Sequence, residues 1–215
     1  MMQFLILNNE FLKLNIIGYC NTNYIGYGKP NNPDFINVFK NTYNSFDINK
    51  LKKAYETVYK ILYSDVRWIY NMLGQPRNFK VCVVPRSKVN LQETQLYFNK
   101  VVTDTIRKLE QDIIGTLSPN SSTIIGTHYI NRHTNTYTTH LGEKAPNYIN
   151  DGPKPYPGIT KDTCHISSEI KGKHILLIDD IYTKNINIDE DAIQALLDNG
   201  ATGITFYAVA KTIDR

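Results

Sequence analysis

The hydrophobic pattern along the chain alternates between two periods. From residue 48 to 73, Leu51, Tyr55, Val58, Leu62, Val66, Ile69 and Leu73 fall three or four apart. That spacing predicts a helix with one apolar face. Asp47 or Asn49 can cap its start, and Gly74 with Pro76 ends it. Lys80 to Val84 is a short apolar run closed by Pro85, which predicts a buried strand. A second helix is expected from Leu91 to Ile114, and a β-branched strand from Ser122 to Ile130. Residues 131 to 162 are polar and carry four Pro and three Gly, so they predict a long functional or mobile loop. A buried strand follows at His174 to Ile178. Then comes a helix capped by Asn187 or Asp189 and ended by Gly200, and a last strand from Gly203 to Ala210.

Apolar strands that alternate with helices predict an α/β fold with a doubly wound, mainly parallel sheet. Residues 79 to 215 would form that core, with 47 to 78 as the helix leading into it. Residues 1 to 46 form an N-terminal extension. Alternations such as Phe11-Leu12-Lys13-Leu14-Asn15-Ile16 predict one or two strands there, and Gly26 to Pro33 a turn. The extension is either a separate hood or extra strands on the core sheet.

Composition changes this picture little. Hydrophobic residues are 41% and charged residues 20%, which argues against disorder. The net charge of +4 suits an anionic ligand or a nucleic acid, without a like-charge block to form a nucleic-acid arm. Cys20, Cys82 and Cys164 are odd in number and widely spaced, which fits neither a disulfide framework nor a zinc site. Cys82 lies in an apolar run and reads as a core residue, while Trp68 reads as a packing anchor. No apolar window approaches the roughly eighteen residues of a membrane span, and no signal peptide is evident. The reading is a cytoplasmic protein.

The chemically informative stretch is His174 to Thr183, where four apolar residues run into Asp179 and Asp180. Adjacent carboxylates at a strand end repel each other, and burying them is costly. Ribose hydroxyls, amides or a metal ion relieve that cost. So does solvent, if one Asp merely caps the next turn.

The run Ile-Asp-Asp-Ile-Tyr-Thr, followed by a helix, Gly200-Ala201 and the closing Ala210-Lys211-Thr212, resembles the phosphoribosyl pyrophosphate (PRPP) motif of type I phosphoribosyltransferases. The resemblance covers residues 79 to 212 and is strongest to the competence-associated, ComF-like branch, whose members often carry the name amidophosphoribosyltransferase. It implies that Asp179 and Asp180 contact the ribose hydroxyls and fill the catalytic and weak metal roles. It implies that Thr183, Lys184, Asn185, Ile186 and Asn187 cradle the 5′-phosphate at a helix N-terminus. Pro85, Arg86, Ser87 and Lys88 resemble the loop that contacts pyrophosphate, with Arg86 also catalytic. Arg132, Thr134 and Tyr137 resemble an Arg- and Thr-rich segment of that branch, and Arg132, His133, His140 and Lys144 would serve a mobile loop over the substrate. The implied cofactor is Mg²⁺, and by analogy the chain is a homodimer.

The phosphate loop departs from the family pattern Thr-Thr-Gly-x-Thr. Asn185 stands where Gly is usual, and Asn is the non-Gly residue that best tolerates positive φ. Asn187 replaces the last Thr. The expected activity is Mg²⁺-dependent transfer of phosphoribose from PRPP to a base or amine, with release of pyrophosphate. The alternatives are a PRPP- or nucleotide-sensing protein without turnover, and a DNA-linked accessory protein in uptake or phage defence.

Overall fold

The computed structural model describes residues 1–40, 46–114, 123–141 and 148–213. In chain order it has β1 (Met2–Ile6), β2 (Ile16–Tyr24), a 3-10 helix over Asp34–Lys40, α1 (Ile48–Met72) and β3 (Phe79–Val83). Then follow α2 (Glu93–Ile114), β4 (Ile130–Arg132), α3 (Ile159–Thr163), β5 (Cys164–Ile166), β6 (His174–Tyr182), α4 (Ile188–Asp198) and β7 (Gly203–Thr212).

The main sheet has the order β1-β2-β7-β6-β3. β2, β7, β6 and β3 are parallel, and only the edge strand β1 is antiparallel. All five residues of β3 are buried, as expected where helices cover both faces. On one face α1, α2 and the 3-10 helix pack against Val81, Leu176, Ile178, Tyr207 and Val209. On the other, α4 and the β4–β5 pair pack against Cys82, Ile175, Leu177, Phe206 and Ala208. β1 and β2 therefore extend the core sheet, because β2 runs alongside β7.

Local signals account for the helix ends. Asp47 accepts from the Asn49 N–H at 2.7 Å at the start of α1, and Gly74 follows its end with φ of 74°. Trp68 is about half exposed and sets its ring edge-on to Tyr19 at 5.7 Å. Among the described residues, no helix is long and apolar enough to cross a membrane.

Three expectations need correction. The strand expected at Ser122 to Ile130 is not continuous. Ile125 makes a single parallel bridge to Val81, and the chain then turns, with the Tyr129 N–H donating to the Gly126 carbonyl. Phe11 to Ile16 is a turn held by the Asn9 side chain, which accepts from the Phe11 and Leu12 N–H groups, and β2 begins only at Ile16. Asn187 precedes α4 at φ of 63°, but its side chain makes no capping bond.

Candidate functional site

The order of strands reverses between β3 and β6. From β3 the chain moves outward to the Ile125 bridge, then returns to β6 on the other side. Ligand crevices in open α/β sheets form beyond the strand C-termini at such a switch point. Here the two flanking strands deliver the chemistry: β3 leads into Pro85-Arg86-Ser87-Lys88, and β6 carries Asp179 and Asp180 near its end.

A cleft of roughly 210 Å³ lies there. Pro85, Arg86, Ser87, Lys88, Arg132, Asp179, Asp180, Thr183 and Ile186 all line it, so the structure brings most of the sequence-read residues together. Lys184, Asn185 and Asn187 do not line this cleft. They border a separate groove toward β1. Asn185 does adopt positive φ, at 70°, as its replacement of Gly requires. His133 also lies outside the cleft, with its ring against His165 at 4.5 Å. Lys144 falls outside the described residues.

The centre is a charge network. Asp180 is 2% exposed; Arg86 donates to it at 2.9 Å, and the Lys40 ammonium lies 3.4 Å away. Arg86 also donates to the Phe39 carbonyl at 3.1 Å, tying the loop after β3 to the 3-10 helix. Burial opposes ionisation of Asp180, but Lys40 and Arg86 outweigh it and hold the carboxyl below its usual range. Asp179 goes the other way. Burial, and then the Asp180 charge, push it up to about 7. Its carboxyl neighbour is Asp189, in the first turn of α4 and lining the same cleft. Burial, with the Asp179 and Glu190 charges, pushes Asp189 well above the carboxylate range. Both shifts favour the neutral forms of Asp179 and Asp189, which reduces the repulsion among the carboxyls gathered here.

The opposite wall is built from Thr136 to Thr138. The Thr136 N–H donates to the Ser87 carbonyl at 2.7 Å, and the Ser87 and Thr138 hydroxyls lie 2.7 Å apart. Lys88 binds Asp151 through both the carbonyl and the carboxylate. Gly152, at φ of 95°, lets that segment lie flat on residue 135; a Cβ there would meet the Asn135 carbonyl oxygen at 2.4 Å. Arg132 is not a loop residue free to move. It sits on β4 and bonds the Arg86 carbonyl and, at 2.6 Å, the Thr163 hydroxyl. It braces the loop after β3 from behind.

Lys40, Thr136, Thr138 and Asp189 were not assigned to this site from sequence. From sequence, Asp189 reads only as a helix cap. Lys40 had no pattern around it, since only tertiary packing brings the 3-10 helix to the cleft. The first turn of α4 carries Asp189, Glu190 and Asp191, all buried. Asp191 accepts from the Gly158 and Thr160 N–H groups. These carboxylates take up much of the anion preference of the helix N-terminus.

Among the described residues, no cluster of three His, Cys, Asp or Glu side chains is placed to hold a metal ion. Arg86 and Lys40 already face Asp180 and compete with any cation for its oxygens. Comparison with protein-family models gives no match, and comparison with curated proteins gives none either.

Proposed function

We propose that the cleft binds PRPP and that the protein transfers its phosphoribosyl group to a nitrogen acceptor. The observation that carries this reading is the meeting of Arg86, Ser87 and Lys88 with Asp179 and Asp180 at the strand-order reversal. Arg86 and Lys88 suit a diphosphate, since guanidinium and ammonium groups both form charge-assisted bonds to phosphate oxygens. The Asp179–Asp189 carboxyls suit ribose hydroxyls, to which one can donate and the other accept. Magnesium enters this reading as an ion carried on the diphosphate and its waters, as Mg²⁺ prefers.

In the transfer, the bond from the anomeric carbon to the diphosphate oxygen breaks, and a bond from that carbon to the acceptor nitrogen forms. The nitrogen loses its proton, and the electron pair leaves with pyrophosphate. The reaction needs no protein nucleophile. The protein's part is to hold the two partners in line and to offset the charge growing on the leaving group.

A second reading is binding without turnover. It is favoured by Lys184, Asn185 and Asn187 lying outside the cleft, and by the acidic first turn of α4. Pyrophosphate release, measured with PRPP, Mg²⁺ and a panel of purine, pyrimidine and amine acceptors, separates the two. Release that depends on one acceptor supports transfer. PRPP binding without release under every acceptor supports a sensor. Steeply salt-dependent DNA binding without PRPP binding would point instead to an accessory role on DNA.

A further inference from the structure

Two of the side chains offered to a diphosphate, Ser87 and Lys88, are already engaged from within the chain. The Lys88 ammonium donates to the Asp151 carbonyl at 2.7 Å and to its carboxylate at 2.5 Å. The second carboxylate oxygen of Asp151 accepts from the Asn135 amide at 3.0 Å. Lys88 keeps only 12% side-chain exposure in this pair, whereas Asp151 keeps 51%. The Ser87 hydroxyl meets that of Thr138, which in turn lies 3.2 Å from the Tyr148 hydroxyl.

Asp151 belongs to a strap, residues 148 to 153, that runs along residues 135 to 138. Asn150 accepts from the Thr138 N–H at 2.7 Å, and its amide donates back to the Thr138 carbonyl at 3.2 Å. The Tyr137 N–H donates to the Pro153 carbonyl at 2.9 Å. The strap has neither helix nor strand, and residues 151 to 153 are exposed. A segment with such solvent-facing bonds opens locally at small free-energy cost.

We infer that Asp151 is an internal competitor for the anion of the cleft: its carboxylate holds the Lys88 ammonium, and the strap must let go before Lys88 can reach a diphosphate. This rests on the reading of the cleft as a diphosphate site. Chains with the strap closed lack one of the cations, so the apparent affinity falls with the fraction that is open. A diphosphate offers more charge and more acceptor oxygens than one carboxylate, and it takes Lys88 over when concentrated enough.

The test is calorimetric titration of inorganic pyrophosphate into the full chain and its variants, each first checked for a native melting transition. Asp151→Ala should bind about threefold to tenfold more tightly than wild type, the scale of a partly exposed ion pair. Asn150→Ala changes no charge, yet should tighten binding in the same direction because it loosens the strap. Lys88→Ala should bind more weakly, and adding Asp151→Ala to it should bring no gain. A second readout needs no ligand: Lys88 should be acetylated by acetic anhydride several-fold faster in Asp151→Ala than in wild type, as read by peptide mass spectrometry. Equal acetylation rates would overturn the inference. So would pyrophosphate binding that is not tightened by Asp151→Ala, or is tightened by it alone and not by Asn150→Ala. In each of these cases the reading of the cleft stands. If neither pyrophosphate nor PRPP binds any of the folded proteins, that reading fails and the inference falls with it.

Discussion

Arg86 donates to Asp180 at 2.9 Å across the gap between β3 and β6, joining the two strand ends where the sheet order reverses. The pair is largely buried, with Asp180 at 3% and Arg86 at 24% side-chain exposure. Removing one member of such a pair leaves the other charged and poorly solvated. Arg86→Ala should therefore destabilise the fold by about 2–3 kcal/mol, below the roughly 3–5 kcal/mol of a fully buried pair because Lys40 remains. Urea unfolding would measure it, and a midpoint equal to wild type would refute the account of the network.

The Asp179–Asp189 pair predicts a pH effect of definite sign. Both folded-state carboxyls are raised, to about 7 for Asp179 and well above the usual carboxylate value for Asp189, against roughly 4 in the unfolded chain. Between those values the unfolded state has released protons that the folded state keeps. Stability must then fall as pH rises from about 4 to 7 or above. Asp180 has the opposite sign, and its contribution is lost only below about pH 4, where Lys40 and Arg86 no longer face a carboxylate. Asp189→Asn should flatten the decline on the neutral side by something on the order of 1–2 kcal/mol, allowing for water in the cleft. Thermal melts at several pH values would check this, and a slope unchanged in the variant would contradict it.

Two tyrosines link α1 to α2 by the same kind of bond in different surroundings. Tyr55 donates to Asp104 at 2.6 Å, and Tyr63 donates to Asp112 at 2.7 Å. Tyr55 is partly buried and its phenol is pushed up, first by burial and then by Asp104. Tyr55→Phe should cost about 1–1.5 kcal/mol, because it strips a donor from a charged acceptor. Tyr63→Phe should cost clearly less, because water can replace the bond. Equal losses in chemical denaturation would show that burial does not set the difference.

Cys20, Cys82 and Cys164 are each no more than 5% exposed. Burial raises all three thiols, and pushes Cys82 up to about 12. Since the thiolate is the reactive form, a thiol-specific chromogenic reagent should find almost no reactive cysteine in the native protein and three after unfolding. Rapid labelling of the native state would contradict the buried placement.

Much of the core was readable because its signals are local. The spacing of Leu51, Val58, Leu62, Val66 and Ile69 marks α1, and those side chains are fully buried or nearly so. The four apolar residues before Asp179 mark β6. What escaped depends on distant partners. Ile124 and Ile125 have strand-forming side chains, but Gly126 turns the chain beside the Val81 carbonyl and limits pairing to one bridge. β4 and β5 have three residues each, too few for a period to appear. The site divided in the same way. Asp179, Asp180 and Arg86 stood out because they follow apolar runs. Lys40 and Asp189 reach the cleft only through packing of the 3-10 helix and α4. The motif assigns Lys184 and Asn187 to the phosphate site, whereas both border the groove beside β1.

The central claim is that the cleft between β3 and β6 binds PRPP through Asp179 and the Arg86 loop. Its most direct test is calorimetric titration of PRPP with Mg²⁺ into wild type and into Asp179→Asn, each first checked for a native melting transition. The account predicts saturable binding to wild type and a loss of about tenfold or more in the variant, the scale of a hydrogen bond to a charged group. Absence of heat with the folded wild type, or equal affinity in the variant, would contradict it.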